Sequence, residues 1–101
     1  MHAKLDFQSV NRRASGQMRA IIAHFIPGGA VRGEEYIVRN PTRADRRPGS
    51  FKINLRTGHW ADFATGDRGG DVIGLVAYIN RIGQLDAARL IEEMIGGSDV
   101  Y

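Results

Sequence analysis

The chain has 101 residues, 43% hydrophobic and 25% charged, with no Cys. That length holds one domain, the composition argues against disorder, and the lack of Cys excludes a disulfide scaffold, a thiol nucleophile and a thiolate zinc site. The net charge of +3 is unevenly placed: residues 37–61 carry +5 and residues 62–101 carry −4.

Residues 6–26 read as helix in two pieces. Ala14, Met18, Ile21, Ile22 and Phe25 recur at helical spacing as one apolar stripe. Asp6 is placed to cap the first piece, with Phe7 and Val10 inward, and Gly16 marks the break. Pro27-Gly28-Gly29 ends the helical segment.

From residue 34 the period changes. Residues 35–39 are β-prone, and residues 40–49 form a loop with two prolines. Residues 50–55 alternate, with Phe51, Ile53 and Leu55 on one face and Lys52, Asn54 and Arg56 on the other. Gly58 supplies a turn, and residues 59–63 return as the next strand. These elements predict a three-stranded antiparallel sheet. Residues 64–71 are a tight glycine-rich loop. Asp71 then caps a helix over 72–81 with Val72, Leu75, Val76 and Ile79 on its apolar side, ended by Gly83. A last helix spans about 85–95, with Leu85, Ala88, Ile91 and Ile95 inward, and Gly96-Gly97 closes it. The fold class is α+β, in the order α, β-β-β, α-α.

Catalytic signatures are missing: there is no nucleophile elbow, no P-loop and no His-Glu-x-x-His. Asp62, Asp67 and Asp71 invite a metal reading, but cap, turn and ion-pair roles account for them. The glycine-rich loop before a helix invites a phosphate, yet Asp67 and Asp71 already fill that positive end, which leaves Arg68 as its phosphate contact. No cofactor is expected, and no enzyme activity for this chain alone. No apolar run approaches the ~20 residues of a membrane span, and no apolar leader opens the chain. A cytoplasmic location and no membrane partner are expected.

The basic segment says more. Lys52, Asn54 and Arg56 beside Arg43, Arg46, Arg47 and His59 would form a positive surface, with Trp60 and Tyr36 as stacking platforms. Cations interleaved with aromatics on an open sheet hold single-stranded nucleic acid. The competing reading puts Trp60 in the core and the arginines on a solvated face; composition weighs the two equally.

Three runs carry a family resemblance: Asn40-Pro41-Thr42-Arg43, then Pro48-Gly49-Ser50-Phe51-Lys52-Ile53, then residues 58–73 ending Gly69-Gly70-Asp71-Val72-Ile73. Together they resemble the zinc-binding N-terminal domain of bacterial-type DNA primases, with the closest look to primase-like proteins of phages and mobile elements. The likeness covers about residues 35–95. It implies a core over 34–97 like a zinc ribbon, preceded by the helical segment 1–33. The family's metal-ligand positions fall on Asn40, Arg43, Asp62 and Thr65, none of them Cys or His, so zinc is not expected. An Arg43–Asp62 ion pair, completed by Asn40 and Thr65, would take the metal's place.

The resemblance further implies a recognition module for single-stranded DNA in replication priming, docked on the helicase or polymerase domain of a primase-like protein. Lys52, Arg56, Arg43, Arg46 and Arg47 would then contact phosphates, with Trp60 stacking. The rival reading is a protein-interaction module, including an inhibitor encoded by a mobile element, in which Asp86, Glu92 and Glu93 matter more. An isolated metalloenzyme is the weakest reading.

Overall fold

A computed structural model describes residues 5–42 and 50–96. The first helix starts where Asp6 takes extended backbone angles and its carboxylate accepts from the Gln8 N–H at 3.0 Å. Helix α1 (Phe7–Ala14) passes through a 3-10 turn at Ser15–Gln17 into α2 (Met18–Phe25). Gly16 lowers helix propensity there, and the Ser15 hydroxyl turns back to the Arg12 carbonyl at 2.6 Å. Val10, Ala14, Met18, Ile21 and Ile22 are buried, and Phe25 packs against them half-buried. Beyond α2, the Tyr36 hydroxyl donates to the Ile26 carbonyl at 2.6 Å and accepts from the Gly29 N–H at 3.0 Å, which fixes the chain reversal.

The sheet has five strands where the alternation predicts three: β1 (Ala30–Arg32), β2 (Glu35–Val38), β3 (Phe51–Asn54), β4 (Trp60–Asp62) and β5 (Arg68–Gly69). They lie in the order β1-β2-β3-β4-β5, each antiparallel to its neighbour. The two unforeseen strands are the edges, too short to show a period of two. At the β3–β4 turn, Asn54 Oδ1 accepts from the N–H groups of Arg56 (2.8 Å) and Thr57 (2.9 Å), and Gly58 takes φ +82°.

Register divides the sheet into two faces. Tyr36, Ile53, Trp60 and Gly69 form one row and Val38, Phe51 and Asp62 the next, all turned toward the helices. A Cβ on Gly69 would stand 2.5 Å from the Trp60 indole, so only glycine lets that ring lie across β5. The opposite face carries Ala30, Ile37, Lys52, Ala61 and Arg68 in one row and Arg32, Glu35 and Asn54 in another, none of them in the core.

Asp71 caps α3 (Val72–Asn80) by accepting from the Gly74 N–H at 2.8 Å, and its second oxygen accepts from Asn11 Nδ2 on α1 at 3.0 Å. The helix ends at Arg81, not Gly83: Arg81 adopts φ 55°, ψ 47°, and its N–H bonds the Ala77 carbonyl. Its guanidinium donates to the Thr42 carbonyl at 3.0 Å, a contact that accompanies an arginine where glycine is usual. Helix α4 (Gln84–Gly96) buries Ala87, Ala88, Ile91 and Ile95. Leu85, expected inward, is 46% exposed, because it lies about 100° around the helix from that stripe. Arg13 grips Glu92 through two hydrogen bonds of 2.6 and 3.2 Å and so joins α1 to α4.

Candidate nucleic-acid interface

On the open face Lys52 stands between Ile37 and Ala61, and Arg68 lies across Ala61 on the edge strand. Asn54 follows two residues on, between Glu35 of β2 and His59, whose carbonyl accepts from the Asn54 N–H at 2.7 Å. At the other end of β3, the Phe63 N–H donates to the Ser50 carbonyl at 2.8 Å. A shallow cavity of about 330 Å³ opens over this face, with Glu35, Lys52, His59, Phe63 and Arg68 in its walls. Phe63 is 70% exposed, and Lys52 Nζ sits 5.8 Å from its ring centroid.

The face therefore brings together Lys52, Asn54, His59 and Arg68 of the sequence-predicted set. Asn54 also serves the turn through its side-chain oxygen. Arg56 stands apart at the hairpin tip, 3.3 Å from Glu34. Arg43, Arg46 and Arg47 lie outside the described residues. The two stacking candidates belong to the core. Tyr36 is buried, and Trp60 is 6% exposed, tilted on Tyr78 at 4.7 Å and edge-on to Phe51 at 6.1 Å. The reason is parity: pairing with Ile53 turns Trp60 inward, and the same alternation turns Ala61 and Phe63 outward. Phe63 is thus the aromatic of the face. Its odd-numbered kinship with His59 and Ala61 was the available signal.

Behind the sheet, two of the four expected ligand positions, Asn40 and Asp62, sit in a polar cluster. Asn40 and Asp62 are 1% and 0% exposed, and Asn40 Nδ2 donates to Asp62 Oδ2 and to the Tyr78 hydroxyl, both at 2.8 Å. The Tyr78 hydroxyl donates to Asp67 Oδ2 at 2.7 Å. Thr42 reaches Asn40 Oδ1 through its N–H (2.9 Å) and hydroxyl (2.7 Å), and the Ala64 N–H donates to Asp62 Oδ1 at 2.9 Å. Thr65 does not complete this cluster: its hydroxyl accepts from the Asp67 N–H at 3.2 Å. The expected Arg43–Asp62 pair involves a residue outside those described. Tyr78 is the member that sequence reasoning missed, since nothing local links position 78 to 40, 62 and 67.

These residues do not fit a tetrahedral zinc. They offer an amide, a carboxylate and a hydroxyl in place of thiolates and imidazoles, and the Asn40 amide spends its donors on Asp62 and Tyr78. Among the described residues no group of three or more His, Asp or Glu converges as a metal site.

No family model and no curated protein matches the chain. Among solved structures, it is similar to the crystal structure of the Aquifex aeolicus primase (zinc binding and RNA polymerase domains), with a TM-score of 0.75 and 21% identity. The match covers 93% of this chain and 22% of that one, so the chain spans about a fifth of the primase chain it matches. No helix of the described residues is long and apolar enough to cross a membrane. An α+β chain with an antiparallel sheet, backed by helices and folded like part of a primase, is what sequence and structure together establish.

Proposed function

We propose that this chain is the single-stranded DNA recognition module of a primase-like replication protein of the phage or mobile-element type, without catalysis of its own. The observation that carries the reading is the open face. An exposed aromatic, Phe63, stands beside Lys52 with Arg68 and His59 in the same cavity, while the opposite face is sealed by helices. Arg43, Arg46 and Arg47 stand in sequence before Ser50, whose carbonyl accepts from the Phe63 N–H, and are assigned to phosphate contact by their charge, their placement lying outside the described residues. The likeness in fold to a primase supports the same reading. Two of the three acids of α4 favour it too: Glu92 is engaged by Arg13 and Asp86 by Arg89 at 3.9 Å, while Glu93 is exposed.

Anisotropy of a labelled single-stranded oligonucleotide against its duplex, over a salt series, tests the proposal. Tighter binding of the single strand that weakens steeply with salt is expected. No binding at low salt rejects it.

A further inference from the structure

The cavity on the open face contains a carboxylate that the phosphate reading does not explain. Glu35 is exposed at the start of β2, and its side chain has no hydrogen-bond or ion-pair partner among the described residues, although Lys52 and Arg68 line the same cavity. Near phosphates such a group repels, so it lowers affinity for every strand unless the ligand brings it a donor.

Register shows where that donor would come from. Arg32 of β1, Glu35 of β2, Asn54 of β3 and His59, the residue before β4, form a row, with Glu35 and His59 two strand spacings, or about 10 Å, apart. Asn54 lies between them with its side-chain oxygen bound to the Arg56 and Thr57 N–H groups, and a nucleobase over it would have the His59 ring as a stacking surface. Phe63 lies at the far end of β3, about 13 Å along the strand, beyond the reach of the same base. Lys52 and Arg68 sit between the two ends, where a phosphate linking two nucleotides would pass.

We propose that the open face holds two neighbouring nucleotides of an unpaired strand, one on Phe63 regardless of base and one between His59 and Glu35, where Glu35 selects a base with an exocyclic amino group. Cytosine N4 donates to a carboxylate; thymine presents a carbonyl oxygen at that place and is rejected. The inference rests on the single-strand reading above.

The test is anisotropy at low salt and pH 7.5 with labelled oligo-dC and oligo-dT of equal length, for the wild type, Glu35→Gln and Phe63→Ala. The wild type should bind oligo-dC about fivefold or more tighter. Glu35→Gln, whose amide both donates and accepts, should bring the ratio near one by improving oligo-dT. Phe63→Ala should weaken both about equally, by fivefold or more, and keep the ratio. Equal wild-type affinities, with Glu35→Gln raising both alike, mean that Glu35 only repels phosphate and overturn the selection. A ratio that moves with Phe63→Ala overturns the division between the two positions. Both of those results leave single-strand binding standing, whereas no binding of either oligonucleotide removes that reading and this one together. Both substituted side chains are on the open face, and far-ultraviolet circular dichroism checks that the variants fold.

Discussion

Asn40 and Asp62 are 22 residues apart in sequence, yet the amide of one donates to the carboxylate of the other at 2.8 Å with both side chains closed off from solvent. A buried carboxylate is tolerated only when its oxygens are satisfied, and here Asn40 takes one and the Ala64 N–H the other. Asp62→Ala strands the Asn40 donor and frees the 62–67 turn. We expect a loss of about 2–4 kcal/mol, read as a fall in Tm of roughly 10–25 °C by thermal circular dichroism. An unchanged Tm contradicts the structural role of this pair.

Tyr78→Phe isolates the hydroxyl, because the ring still packs on Trp60 and Phe51. The hydroxyl accepts from Asn40 and donates to Asp67, so its removal should cost about 1–2 kcal/mol in urea denaturation. Combined with Asn40→Ala the losses should fall short of additive, since both act on one network. Additive losses would place the two side chains in independent clusters.

The same network predicts indifference to metal. The wild type should melt at one temperature with or without a strong chelator, and added zinc should not restore Asp62→Ala. A chelator-dependent Tm would show a metal holding the fold.

Gly69→Ala puts a methyl group into the space of the indole, 2.5 Å from its ring atoms. Either β5 or Trp60 must shift, at about 1–3 kcal/mol. With one Trp in the chain, the emission maximum reports the event directly, and a red shift is expected. An unaltered spectrum and stability would contradict the packing of Trp60 across β5.

Salt dependence separates the cations. Lys52→Ala and Arg68→Ala should each lower the slope of log K against log salt by about one. Arg56→Ala should change it less, because Arg56 stands at the hairpin tip beside Glu34. Equal effects from all three would spread the interface beyond the open face.

What the sequence made legible were features with a local cause. Asp6 and Asp71 cap as their positions before apolar runs suggest, and Gly16 breaks the first helix. Phe51 and Ile53 alternate with Lys52 and Asn54 as the strand pattern requires. Features set by distant partners were not legible. The strands β1 and β5 exist because longer neighbours pair with them. Arg81 replaces a glycine cap while bonded to Thr42, 39 residues away. Pairing register puts Trp60 in the core, one of its two equally weighed readings, and makes Phe63 the exposed aromatic, which composition does not reveal. Of the candidate interface, Lys52, Asn54, His59 and Arg68 were legible as residues, whereas their grouping around Phe63 was not.

Every strand pairs with its successor in the chain, so the sheet can zip hairpin by hairpin with small loops to close. The helical layer is different: the Arg13–Glu92 clasp joins positions 79 residues apart. With the Asn11–Asp71 bond between α1 and α3, it gives the helical layer contacts of long sequence separation, the kind whose closure entropy is met before they stabilise the fold. Cutting the chain anywhere between those helices would turn that closure into an encounter of two separate fragments, and reassembly would then depend on their concentration.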